Sequence, residues 1–177
     1  MKYLIVIDMQ KDFVTGALGT AEAQAILPGV IARIDAAKTA GETILYTLAT
    51  HETNYMETSE GSKLPVPHCI RDTAGWLPED GVLEALEGAL GFEKPTFGST
   101  ELAAWLKDQS ETPDGSSMTI ELIGVCTDIC VISNALLIKA NLPEADISVD
   151  SALCAGVTPA SHAAALQTMQ SCQITVK

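Results

Sequence analysis

Three side chains of this sequence could do covalent chemistry together: the carboxyl of Asp8, the ammonium of Lys94 and the thiol of Cys130. A group that takes a proton, a cation that steadies an anion and a thiol are the parts of an activated nucleophile. Each also has a plainer reading. Asp8 follows the apolar run 3–7 and could cap a turn there. Lys94 in isolation reads as a surface lysine. Cys130 reads equally as a buried structural cysteine or a reactive one.

The elements around these residues decide whether they can meet. Residues 120–123 are short, apolar and partly β-branched, which predicts a strand ended by Gly124. Thr127 and Asp128 are natural helix N-caps, and Val131, Ala135, Leu136 and Ile138 recur at helical spacing. Cys130 then lies in the first turn of a helix, past the C-terminal end of a strand, where open α/β sheets bind ligands. A helix N-terminus offers free N–H groups and favours a thiolate. Residues 3–7 read as a strand buried on both faces of a parallel sheet, ending at Asp8. A brief strand ends at Lys94.

The rest of the chain alternates helix and strand. A helix spans 28–40, with Pro28 in its first turn and Gly41 as its stop. A strand follows over 42–48. Further helices span 82–90 and 100–107, the latter capped by Ser99 or Thr100, and a polar turn covers 108–117. A strand over 147–149 ends at Asp150. Thr158 and Pro159 open the last helix, and 174–176 is the last strand. This βαβ pattern predicts a parallel sheet with right-handed crossovers.

The stretch 51–76 is long, polar and irregular, and such loops are functional or disordered. His51 and His68 flank Glu60 in it, and imidazole plus carboxylate suits a divalent ion. The alternative is a solvated loop with incidental histidines, because the spacing is no standard metal motif. Phe13 is a core residue or the aromatic wall of a site.

Composition bounds the function. A chain of 177 residues, 47% hydrophobic and 19% charged, is globular and long enough for a full core in one domain, 1–177. The net charge of −13 argues against nucleic-acid partners and anionic membranes. No apolar run reaches membrane-spanning length, and the chain enters a strand directly after Met1 and Lys2, without a signal peptide. Five scattered cysteines fit free thiols and a cytoplasmic protein.

Three motifs in order, IVIDMQKDF at 5–13, GFEKPTFGS at 91–99 and GVCTDICV at 124–131, resemble those of the isochorismatase-like cysteine hydrolases, and within them the nicotinamidase-type amidases. The resemblance covers nearly the whole chain. It implies an α/β three-layer sandwich with a mostly parallel, doubly wound sheet. It implies catalysis by Asp8, Lys94 and Cys130, with Lys94 lowering the thiol pKa, and a thioester intermediate from which ammonia has left. It implies an oxyanion hole from the backbone N–H groups of Cys126 and Cys130, and a non-proline cis peptide at Val125–Cys126. Phe13 and Trp76 become candidate substrate contacts, and a homo-oligomer is expected. His51, Glu60 and His68 match three ligands of the family's metal. Where the family pattern has Asp, two residues before His51, this chain has Ala49. The implied cofactor is therefore a divalent, zinc-like ion held more weakly, and nicotinamide as the substrate comes into question. The partner is a small amide. The alternatives are a carbamoyl or ureido C–N substrate, or a catalytically silent member that binds a metabolite or a protein. A true isochorismatase lacks the nucleophilic cysteine, so Cys130 argues against that activity.

Overall fold

The computed structural model of the protein describes residues 1–112 and 117–177. Six strands form one sheet: β1 (Lys2–Ile7), β2 (Thr43–Ala49), β3 (Leu90–Lys94), β4 (Thr119–Val125), β5 (Asp146–Ala155) and β6 (Thr175–Val176). Their order is β3-β2-β1-β4-β5-β6, and every neighbouring pair is parallel. This is the doubly wound sheet expected from the alternation of elements.

β1 shows how the sequence builds the layers. Its apolar run has no polar alternation because both faces are covered. Leu4 and Val6 point to one side, where they meet Val30 and Ile34 of helix α2 (Ala21–Ala40) and Val82 of α4 (Asp80–Ala85). Two short helices, α1 (Lys11–Val14) and α3 (Ser59–Lys63), also belong to the first half of the chain. Tyr3, Ile5 and Ile7 point to the other side. There they meet Leu102 and Leu106 of α5 (Thr100–Ser110), Ala135 and Ile138 of α6 (Ile132–Asn141) and Met169 of α7 (Pro159–Ser171). Fully burying one such aliphatic side chain contributes roughly 1.5–3 kcal/mol. Among the described residues, no helix is long and apolar enough to cross a membrane.

Several boundaries differ from the sequence reading. Helix α2 starts seven residues before Pro28, because the Thr20 hydroxyl accepts from the Ala23 N–H at 3.0 Å and caps it there. Pro28 sits inside the helix, where it removes one backbone bond. Helix α4 ends at Ala85, so Leu90, read as helical, opens β3 instead. Helix α5 runs on to Ser110, and the rest of the turn read over 108–117 lies partly outside the described residues. β5 does not stop at Asp150 but continues to Ala155, with a register shift against β4 between Leu122 and Gly124. Gly124 does not end β4. It holds a φ of +118°, and a Cβ there would lie 2.2 Å from the Ile7 carbonyl oxygen, so only glycine fits beside the end of β1. The last helix opens as read, with Thr158 and Ser161 in a reciprocal capping box and Pro159 at its first position.

Candidate active site

The C-terminal ends of β1, β2, β3 and β4 lie side by side in a parallel sheet, so whatever follows each strand is carried to the same edge. Asp8 follows β1 with a φ of +46°, Lys94 is the last residue of β3, and Cys130 lies in a turn after β4. The structure brings the three together. Lys94 Nζ is 2.6 Å from Asp8 Oδ2 and 3.6 Å from Cys130 Sγ. Its third proton goes to the Thr96 carbonyl oxygen at 3.2 Å. The other Asp8 oxygen accepts from the Thr47 hydroxyl at 2.7 Å. All three residues are buried, Lys94 at 2% exposure and Asp8 at 0%. A buried lysine is stable here because each of its N–H bonds meets an acceptor.

The turn holding Cys130 is a π-helical turn, Thr127–Val131, that feeds directly into α6. It is not capped by Thr127 or Asp128 as expected. The Thr127 hydroxyl pairs instead with His162 Nδ1 at 2.8 Å, and Asp128 Oδ1 accepts from the Val157 N–H at 2.9 Å. Both therefore anchor the turn to the segment around the start of α7. The peptide Val125–Cys126 is cis, and Cys126 and Cys130 both line the cavity.

The electrostatics overturn one expectation. The Cys130 thiol is not pulled down in the resting site; burial and the Asp8 carboxylate push it up, and Lys94 only partly offsets them. Burial works against the Lys94 ammonium, but Asp8 and Cys130 outweigh it and hold it charged. The resting arrangement is an Asp8–Lys94 ion pair beside a protonated thiol.

A cavity of about 1120 Å³ opens above Cys130 and Lys94. On it lie His51, Glu60 and His68, whose ligand atoms all fall within 4.8 Å of one another. His51 Nε2 and His68 Nε2 stand 3.6 and 3.7 Å from Glu60 Oε1. The His68 Nδ1 is 2.8 Å from the Val66 carbonyl oxygen, so Nδ1 donates there and the ring turns Nε2 toward Glu60. Burial, then His68 and Lys94, lower His51 to about 4, so its imidazole is neutral at pH 7. Two imidazoles and a carboxylate suit a zinc-like ion. Ala49, at the end of β2, lines the same cavity and offers only a methyl group.

Phe13 lies on the cavity wall with its ring 5.4 Å from that of His68. Trp76 does not line the cavity. Its indole N–H donates to the Thr50 hydroxyl at 2.9 Å and its carbonyl accepts from Gln10, so it braces the wall from behind. Sequence reading also passed over three braces. Buried Gln10 clamps both the N–H and the carbonyl of Ala49. Asp12 accepts from the Cys69 N–H at 2.7 Å and fixes the chain next to His68. Buried Asn134 donates to the Cys130 and Phe97 carbonyls and accepts from the Ser99 N–H. An amide four residues after the thiol, on the same helical face, was the available signal.

Fold and site together define a parallel α/β protein with an acid, a lysine and a thiol gathered under one cavity. The Isochorismatase domain matches residues 2–177, and the chain belongs to the isochorismatase family. No curated protein matches it. Among solved structures it is similar to the pyrazinamidase of Pyrococcus horikoshii in complex with zinc, at 26% identity and a TM-score of 0.82, covering 99% of this chain and 98% of that one. It is similar in fold to a pyrazinamidase/nicotinamidase from Streptococcus mutans, at 24% identity and a TM-score of 0.85, covering 100% of both chains. It is likewise similar to a nicotinamidase from Bacillus subtilis, at 24% identity and a TM-score of 0.82, covering 99% and 98%.

Proposed function

We propose that the protein is an amidase that hydrolyses small primary amides through a thioester on Cys130. The observation that carries this reading is the contact of one buried ammonium with both Asp8 and Cys130 at the floor of a cavity. Because the resting thiol is protonated, its proton passes to Asp8 as the sulfur attacks the amide carbonyl. Lys94 stabilises the negative charge as it shifts between carboxylate and sulfur. The backbone N–H groups of Cys126 and Cys130 face the developing oxyanion. Asp8 returns the proton to the leaving nitrogen, ammonia departs, and water then cleaves the thioester to the acid. Phe13 supplies an apolar face for a ring.

His51, Glu60 and His68 would hold a divalent ion of the zinc type. When bound, it supplies a positive centre that orients a polar substrate ring. The donor set fits such an ion, and Ala49 leaves it one carboxylate short, which supports weak binding. The likeness to a zinc-bound pyrazinamidase supports the same reading.

The direct test is ammonia release across a panel of primary amides and ureido compounds, with and without added zinc. Release from nicotinamide or another aromatic primary amide, lost in Cys130→Ala, is the expected result. Release from ureido compounds alone would move the substrate class, and silence across the panel would end the enzyme reading.

A further inference from the structure

The cavity is larger than a single-ring amide needs, and part of its wall is apolar without being covered. At about 1120 Å³ it exceeds the roughly 300–1,000 Å³ that houses drug-sized ligands. Phe13 and the His51–Glu60–His68 cluster form one part of its lining. Phe97, Ile129 and Val157 form another. Phe97 is 47% exposed and Val157 49%.

These apolar residues are not on loose chain. The Phe97 carbonyl accepts from Asn134 Nδ2 at 3.1 Å, and that same amide donates to the Cys130 carbonyl. The Val157 N–H donates to Asp128 Oδ1 at 2.9 Å. Ile129 directly precedes Cys130 in the π-helical turn. All three are thus tied to the segment that carries the thiol. Among the charged residues of the lining, Arg71 bonds both Glu52 and Glu93. Exposed apolar side chains carried on anchored backbone around a cavity, beside a reactive group, mark a binding surface.

We infer that this collar takes an apolar arm of the substrate. The preferred substrate is then a primary amide of an aromatic acid that carries an alkyl or aryl extension beyond one ring. The inference rests on the amidase reading. The chemistry is unchanged: the amide C–N bond breaks as the C–S bond forms, and the thiol proton leaves with the nitrogen as ammonia. Water then supplies the hydroxyl of the acid and returns a proton to sulfur.

The experiment compares nicotinamide with nicotinamides bearing propyl or phenyl at ring carbon 5 or 6. Ammonia release gives kcat/KM, and calorimetry on Cys130→Ala gives affinity. At least one arm-bearing amide should exceed nicotinamide on the order of tenfold in both, about what burial of two methylenes yields. Phe97→Ala and Val157→Ser should each shrink that ratio at least threefold. Nicotinamide hydrolysed as well as or better than every arm-bearing analogue, with equal affinities in Cys130→Ala, would overturn the collar and leave the amidase intact. No ammonia from any amide would sink the amidase reading and this substrate class together. A change of oligomeric state in Phe97→Ala or Val157→Ser, with no gain from any arm, would assign the collar to a second copy of the chain and overturn the inference.

Discussion

At the scale of single residues, the site is a balance of buried charges. Breaking one buried ion pair by removing a partner costs about 3–5 kcal/mol, because the other charge is left uncompensated. Lys94→Met strands Asp8, and Asp8→Asn strands Lys94. Each single variant should therefore unfold at lower urea than the double variant, which strands neither. Activity should follow the same logic: either single loss should nearly equal the loss in the double, as for groups acting as one unit. A double variant whose activity loss is the product of the single losses would dissolve the triad. The sequence named Asp8, Lys94 and Cys130 through their motifs, and the structure places them in contact. It could not show the resting state of the thiol. A helix N-terminus and a lysine both point to a lowered pKa, but burial is a property of the whole fold, and here it wins. A buried, protonated thiol is a slow target for alkylation at neutral pH. Exposed Cys172 should react with iodoacetamide before Cys130; peptide mapping of partly alkylated protein checks this.

At the scale of elements, the site depends on joints between strand ends. Asn134 joins α6 to the segment after β3, and its removal leaves the buried Ser99 N–H without a partner. Asn134→Ala should cost about 1–3 kcal/mol by urea unfolding. It should also lower kcat more than it raises KM, because the thiol carbonyl loses its anchor. The end of β2 is the other joint. Ala49 is held at both backbone atoms by Gln10, so a side chain there is aimed as reproducibly as the strand itself. Ala49→Asp should raise zinc affinity at least tenfold by calorimetry, and equal affinities in both forms would remove the metal reading. The strands were legible because both of their faces are buried, as in the run 3–7. Helix α2 was misplaced because proline at 28 looks like a start, while the real start is one threonine hydroxyl at position 20. The braces Gln10 and Asp12 were not legible, since each bonds chain that is distant in sequence, whereas Asn134 stands four residues from Cys130 and that spacing was the one readable sign.

At the scale of the whole molecule, one buried acid ties the layers together away from the site. Glu121 of β4 is 7% exposed and bonds both Arg33 of α2 and Lys177 at the end of the chain. Burial alone would raise its pKa, but hydrogen bonds from Lys177 and Arg33 outweigh it and hold the pKa below the ordinary 4.5. A carboxyl lowered on folding contributes stability that is complete above the unfolded value and is lost as pH falls through the folded one. Stability of the protein should thus drop below pH 4.5, and Glu121→Gln should be less stable at pH 7 yet show a shallower acid loss in urea titrations. The same sheet order has a consequence during synthesis. β1 lies at the centre and pairs with β4 from Lys2↔Thr119 to Ile7↔Gly124. Of this pair β1 leaves the ribosome first, and it must keep one edge open until β4 has followed. At about 5–20 residues per second that is a wait of roughly 6–25 s. During that interval an unpaired YLIVI edge is the part of the nascent chain most in need of a chaperone.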